Sequence, residues 1–413
     1  MPNDVDVAIV GAGAAGIAAA RRCLAAGLSV AVIEARTRAG GRAWTIPTSA
    51  NAIVDLGAAW LHSADRNPLT DLAREHGFHI STRLPDPWDV RLGRLKLSSQ
   101  DIENWKSSYS AFNARLAAQG DEADRPISQH FGADDRWRAV LGAMQTWRAG
   151  ADANRISTAD KLNSFDTNTN WRITEGFGTL LEKLASHLPI RFGAVVNKID
   201  WSRSPVLLDT SAGALRASCA IVTASTGVLA ADAIAFHPML PAEKLTALEA
   251  LPLGANNKVY FEWRSRDDGW PDDMHFLGST TQSATGSYQL RPLGRPLLEM
   301  FLGDKLAREL ERIGTNELTA FAEAELKNVL GSQIPQLKPV AASAWLGDPW
   351  SRGAYSYATP GGAGQRSILA EPLDDRVFFA GEACSKEAHS TIHGAWMSGE
   401  SAAGASIRSL QGS

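Results

Sequence analysis

Cysteine is scarce in this chain: three thiols, Cys23, Cys219 and Cys384, stand among 413 residues. They are too few and too scattered for a disulfide framework or a CxxC metal site, so reduced thiols are expected. Long apolar runs are also missing. No stretch approaches the roughly 20 apolar residues a membrane helix needs, and no secretory h-region precedes the first strand-like run, so a cytoplasmic protein without a membrane partner is expected. A basic excess is absent, since 41 Lys and Arg against 45 Asp and Glu leave a net charge of -4. That gives no field for nucleic acid and suits a soluble enzyme. No histidine pair lies at metal-ligand spacing from carboxylates, and no metal is expected. The length allows a large core and about two domains.

What is present is concentrated first in residues 5–42, VDVAIVGAGAAGIAAARRCLAAGLSVAVIEARTRAGGR. Residues 5–10 read as a buried parallel strand. Gly11, Gly13 and Gly16 then form a GxGxxG turn: the first makes the tight turn, the second admits a pyrophosphate, and the third lets helix pack on strand. A helix over 14–26 presents its N-terminus, with Ala14 and Ala15, to the phosphates. A second strand over 29–33 ends on Glu34, whose carboxylate can take both hydroxyls of an adenosine ribose and would repel a 2′-phosphate. This favours FAD or NAD over NADP.

Beyond residue 42 there is no internal repeat, low-complexity tract or obvious linker. Residues 55–62 read as a strand end and loop, and 67–78 as a helix capped by Asn67 or Thr70. Over 80–175 the pattern is polar and helical, with Trp105, Tyr109, Phe112, Trp137 and Trp147 spaced as helix faces. Residues 190–222 read as a β-meander, 256–301 as further strands, 315–330 as a helix, 376–382 as a last strand and 393–409 as a long helix. The expected fold is α/β: a Rossmann-like dinucleotide domain from 1–79, 185–250 and 346–413, interleaved with a mixed α+β substrate domain from 80–184 and 251–345. The cleft between them is the expected site.

The N-terminal run continues into Arg36, Gly40, Gly41 and Arg42, and there it resembles the ExRxRxGGR segment of the FAD-binding flavin amine oxidases. WLGDPWSRGAYSYATPG at 345–361 and RVFFAGEACSKEAHSTIHGAWMSGESAA at 376–403 resemble the flavin end of that family, closest to its polyamine oxidase and lysine-specific histone demethylase branch. The resemblance implies a flavin amine oxidase fold with FAD held by Arg36, Gly41 and Arg42 beside Ala35, by Gly57, Ala58, Ala59 and Trp60, and by Val196, Thr223 and Trp345. At the C-terminal end it adds Gly381, Glu382, Thr391, Ile392 and Ala395. Gly381 permits close approach of backbone, Glu382 can bond ribityl or phosphate-side groups, and the helix near His393 and Gly394 aims its positive end at the flavin pyrimidine.

The same resemblance implies that Lys258 holds a water against flavin N5 and assists reoxidation by dioxygen, and that Tyr355 faces the flavin. Trp345 and Trp350 match cavity-lining aromatics, although core packing is the plainer reading of any one tryptophan. His62 falls where polyamine oxidases contact the substrate amine. Thr391 replaces the second cage aromatic of monoamine oxidases, so that side is open, and Ala354 replaces the cysteine of covalent-flavin enzymes, so FAD is expected to be non-covalent. Trp60 stands where amino-acid oxidases tend to carry a carboxylate-clamping arginine. Asp166, Glu175 and Glu299 are candidate counter-charges for a second amine.

The expectation is an FAD-dependent amine oxidase: hydride passes from an amine α-carbon to flavin N5, the imine is hydrolysed, and O2 becomes H2O2, with a polyamine-like small-molecule substrate favoured. Alternatives are an oxidase or dehydrogenase of a cyclic, aromatic or biosynthetic amine, and a non-catalytic flavin-binding protein. A demethylase role is disfavoured because no docking insertion is visible in the sequence. The oligomeric state is not legible.

Overall fold

The computed structural model describes residues 4–412 apart from 84–90, 93–94, 97, 121–122, 265–268 and 333. An eight-stranded sheet grows around the N-terminal motif. The strand Asp4–Val10 pairs in parallel with Val30–Ile33 on one side and with Gly213–Val222 on the other, in the register Val7↔Val30 and Val10↔Val222. Val377–Phe379 continues the parallel array on the far side of Gly213–Val222, and Ile190–Arg191 adds to Val30–Ile33. An antiparallel meander, Val196–Asp200, Val206–Thr210 and Gly213–Val222, leads into the long central strand. A strand buried on both faces has no polar alternation, which is why VAIV at 7–10 and CAIV at 219–222 read as continuous apolar runs.

The helix Ala14–Ala25 and the C-terminal helix Ile392–Gln411 cover one face of this sheet. They approach closely because both are rich in small residues: a Cβ at Gly399 would stand 2.1 Å from the Ala15 carbonyl oxygen. The helix Phe177–Ala185 joins the same core through Phe177, Leu180, Leu181 and Leu184, so the chain returns to it before residue 185. Asn67 caps Pro68–Glu75 by accepting from Leu69 N at 3.0 Å, which decides the cap in its favour over Thr70.

A seven-stranded sheet contains Asn256–Glu262, Leu297–Gly303, Ser287–Leu290 and Met274–Leu277. Its two faces separate by the period of the strand. Val259, Phe261, Leu298, Met300, Leu302, Tyr288, Leu290 and Phe276 pack against the helices Asp304–Ile313 and Thr315–Leu330. The intervening positions face the other way. The helices Ser99–Ala117 and Arg138–Ala149 form a separate aromatic core, with Trp105 5.5 Å from Trp137 and Phe112 5.3 Å from Phe131. Among the described residues no helix is long and apolar enough to cross a membrane.

Candidate active site

One cavity of about 1020 Å³ runs from the GxGxxG turn to the open face of the seven-stranded sheet. At its first end Gly11 takes φ +101°, which only glycine adopts without strain, and its amide donates to Ile33 O. A Cβ at Gly13 would meet nothing nearer than Gly41 Cα at 4.0 Å and would stand in the cavity; at Gly16 it would lie 1.9 Å from Gly11 O. Gly13 therefore leaves room for a pyrophosphate, whereas Gly16, placed behind the cavity wall, serves only the packing of helix on strand. Ala14 and Ala15 open the helix toward the cavity, and Gly41, Gly57, Ala58, Ala59, Val196 and Thr223 line it.

Glu34 is buried, with Oε2 accepting from Ala12 N at 2.7 Å and Oε1 from Arg36 N at 2.8 Å. Those bonds orient the carboxylate and leave lone pairs for ribose hydroxyls. Glycine turn, open helix N-terminus and oriented acid together fit the adenosine and pyrophosphate of FAD. Arg36 and Ala35 line the same end. The Arg36 guanidinium, however, binds Asp348 Oδ2 at 2.7 Å and Ser351 Oγ at 3.2 Å. This contact fixes the turn 348–351, and Trp350, 39 % exposed on that turn, lines the same cavity as Tyr355. Trp345 is buried, donates Nε1–H to Leu56 O at 3.2 Å and meets Trp44 edge-on.

Glu382 lines the cavity as well. Both its oxygens are filled by protein donors: Arg42 Nη1 at 3.0 Å and Ser356 N on Oε1, Ser356 Oγ and Ser390 N on Oε2. It ties three chain segments together at the cavity wall. Burial alone would raise its carboxyl, but Arg42, the Ser356 hydroxyl and Arg366 outweigh this and hold it below the usual range. Gly381, Ile392 and Ala395 line the cavity where the helix Ile392–Gln411 begins. Thr391 caps that helix, accepting from Gly394 N at 3.0 Å, so the helix N-terminus faces the cavity.

The open face of the seven-stranded sheet forms the other end. Lys258 lies opposite Phe301 in the antiparallel pair and Tyr260 opposite Glu299, so Lys258 and Glu299 are diagonal neighbours on one face. Lys258 Nζ is 3.4 Å from Glu299 Oε1 and donates to Asp55 O at 3.2 Å. Glu299 Oε2 is 3.6 Å from Arg172 Nη2, which donates to Gln289 Oε1 at 2.7 Å. The Arg172 guanidinium lies 4.0 Å over the ring of Trp60, which lines the cavity. Burial opposes the charge on Glu299, but Lys258 and Arg172 overcome it and keep its carboxyl below the usual range. His275 on the same face hydrogen-bonds with Ser287 Oγ at 2.7 Å, and burial lowers it to about 4, so it is neutral.

Tyr355 donates its hydroxyl to Trp147 O, and burial with Glu382 nearby holds the phenol well above its usual value. It is a fixed, neutral ring and no base. His62 Nδ1 lies 2.6 Å from Asn170 Oδ1, which puts the proton on Nδ1 and leaves Nε2 an acceptor. Burial lowers its pKa, so that acceptor persists at neutral pH. Both residues line the cavity. Of the candidate counter-charges, Glu175 pairs with His79 at the surface, Glu299 is taken by Lys258 and Arg172, and Asp166 lines the cavity. Arg172 was missed from sequence; its signal is the cation in WRI, a short buried strand paired with Ile80–Ser81. Among the described residues no cluster of His, Cys, Asp and Glu could hold a metal.

Fold and cavity define a dinucleotide-binding oxidoreductase with a charged sheet face against the cofactor end. The chain belongs to the flavin containing amine oxidoreductase family, whose model matches residues 14–165 and 90–406. It is 28 % identical to a probable polyamine oxidase 4 of Arabidopsis thaliana over 96 % of this chain and 86 % of that one. It is 27 % identical to the lysine-specific histone demethylase 1 homolog 1 of the same plant over 95 % of this chain. There it spans about half of the relative, 51 % of its length. In three dimensions it is similar to a putrescine oxidase solved with putrescine bound, with a TM-score of 0.80 at 21 % identity over 98 % of this chain and 99 % of that one.

Proposed function

We propose that this protein is a cytoplasmic, FAD-dependent amine oxidase with non-covalently held cofactor and O2 as electron acceptor. The eight-stranded sheet serves as the cofactor domain and the seven-stranded sheet as the substrate domain. Bound FAD would accept a hydride from the amine α-carbon, leaving a C=N bond that water hydrolyses, and would pass two electrons to O2 to give H2O2. The observation that carries this reading is Lys258, a buried cation on the sheet face that closes the dinucleotide cavity.

Gly11, Gly13 and the N-terminus at Ala14 would hold the pyrophosphate, and Glu34 the ribose. The helix opening at Ile392 presents its positive end to the cavity and would favour negative charge there. Glu299 and Asp55 O occupy two of the three Lys258 donors, leaving one N–H to hold a water or stabilise charge developing on oxygen. His62, neutral with Nε2 free to accept, takes an N–H of the amine, and Tyr355 supplies an apolar wall. Neither is a strong base, which suits an amine that arrives deprotonated.

A polyamine-like substrate is supported by the polyamine oxidase relatives. The charge of the cavity favours a different amine, developed below. The test of the shared activity is anaerobic bleaching of the flavin by a panel of amines, followed by peroxide release on admitting air. Bleaching without peroxide would make the protein a dehydrogenase, and no bleaching by any amine would remove the oxidase reading.

A further inference from the structure

At the substrate end the cavity is lined by four cations, Arg148, Lys161, Arg172 and Lys258, against the carboxylates Asp166 and Glu299. Asp160 also lines it, but its oxygens are consumed by the buried Arg366 at 2.6 and 2.8 Å. Glu299 is shared by Lys258 and Arg172. That leaves Arg148 and Lys161, carried by the helices Arg138–Ala149 and Thr158–Asn163 on the wall of the same cavity. Among the described residues no carboxylate stands within ion-pair distance of either. Arg148 donates to the Tyr109 hydroxyl at 3.2 Å and lies 5.9 Å over the ring of the same residue. Burial, and then Arg148 itself, lowers the pKa of Lys161, against the weaker pull of Tyr109, Asp166 and Asp160.

Arg148 is exposed at the cavity rim and Lys161 lies partly covered beyond it, and two cations on one wall with no carboxylate partner favour an anion in that corner. The corner belongs to the same space as the reaction centre. His62 feels the charge of both Arg148 and Lys258, and Tyr355 is anchored on Trp147, the neighbour of Arg148. A polyamine would bring a second cation to this corner, where only Asp166 could receive it. Asp166 accepts on Oδ1 from Asn168 N at 2.8 Å and from Ser63 Oγ at 3.4 Å, so one carboxylate with one open oxygen faces the two cations.

We propose that Arg148 and Lys161 form a carboxylate-binding corner, and that the substrate is an amine carrying a carboxylate at the end remote from the oxidised carbon–nitrogen bond. The corner lies in the segment between residues 80 and 184, away from Trp60, so the absence of an arginine at Trp60 does not exclude an acidic substrate. This inference rests on the amine oxidase reading for its chemistry and on the cavity alone for its charge preference.

The test compares putrescine with the amino acid in which a carboxylate replaces one of its two aminomethyl groups. With the holoenzyme, kcat/KM for the amino acid should exceed that for putrescine by about tenfold or more. Lys161→Glu should reverse the ratio, and Arg148→Gln should narrow it. Binding of both compounds is also measured by calorimetry, which reads the preference without turnover. If no amine bleaches the flavin, the oxidase reading falls while the calorimetric preference still decides the corner. Preference for putrescine in the wild type, or a ratio unmoved by both variants, would overturn the proposal.

Discussion

Replacing Lys258 by methionine separates its electrostatic role from its chemical one. In the wild type Lys258 Nζ lies 3.4 Å from Glu299 Oε1. At an effective dielectric of about 20 the attraction is about 5 kcal/mol, most of it offset by desolvation of the two ions. A buried ion pair that loses one partner is destabilised by about 3–5 kcal/mol when the survivor is left alone. Glu299 is not left alone, because Arg172 remains 3.6 Å from its other oxygen, and a loss of about 1–3 kcal/mol is expected. Methionine has similar length and packs adaptably, so the fold and FAD binding should persist. The loss should change with pH in a definite sense. The Glu299 carboxyl is held below its usual value by Lys258 and Arg172 against burial, so its contribution is present above the unfolded value of about 4.5 and fades as pH falls toward the folded one. The stability gap between wild type and Lys258→Met, measured by urea unfolding, should therefore hold from neutral pH down to about 4.5 and shrink as pH falls below it. In stopped flow, flavin reduction by amine or reoxidation by air should slow by about tenfold or more, equivalent to about 1.4 kcal/mol of barrier. Wild-type rates in both half-reactions would refute the chemical role, and a pH-independent stability gap would refute the ion-pair account.

Acid precipitation should release all the FAD into the supernatant, because Ala354 offers no thiol; flavin retained by the pellet would show a covalent link. Gly13→Val should abolish FAD binding by filling the space between Gly13 and Gly41, measured by flavin fluorescence titration, and an unchanged affinity would remove the pyrophosphate from this turn. Glu34→Ala should weaken FAD by about 1.5–3 kcal/mol through the lost charged hydrogen bonds. It should also destabilise the apoprotein, since Ala12 N and Arg36 N lose their acceptor. Arg366→Met leaves Asp160 buried with only His389, 3.7 Å away, beside it. A loss of about 3–5 kcal/mol in chemical unfolding is expected, and near-wild-type stability would mean that water reaches Asp160.

The parts of the site that were legible in the sequence are those whose chemistry is written in contiguous residues. A glycine turn, the strand before it and the acid after the next strand are all positioned by one βαβ unit, so Gly11, Gly13 and Glu34 could be placed without knowing the rest of the chain. Lys258 was legible only through resemblance, yet its surroundings obey a simple rule. In NNKVYFE and LLEMFLG the strand period sends Val259, Phe261, Leu298 and Met300 to the core and Lys258 and Glu299 to the cavity. A charge in the middle of an apolar strand marks that face. What the sequence could not carry is register between distant segments: that Arg172 would stand over Trp60, or that Arg36 would spend its guanidinium on Asp348. Nor could composition reveal the substrate wall, because a net charge of -4 for the whole chain conceals a cationic corner at Arg148 and Lys161. Local field, set by which carboxylates are already paired, decides what a cavity admits, and pairing is a property of the folded chain.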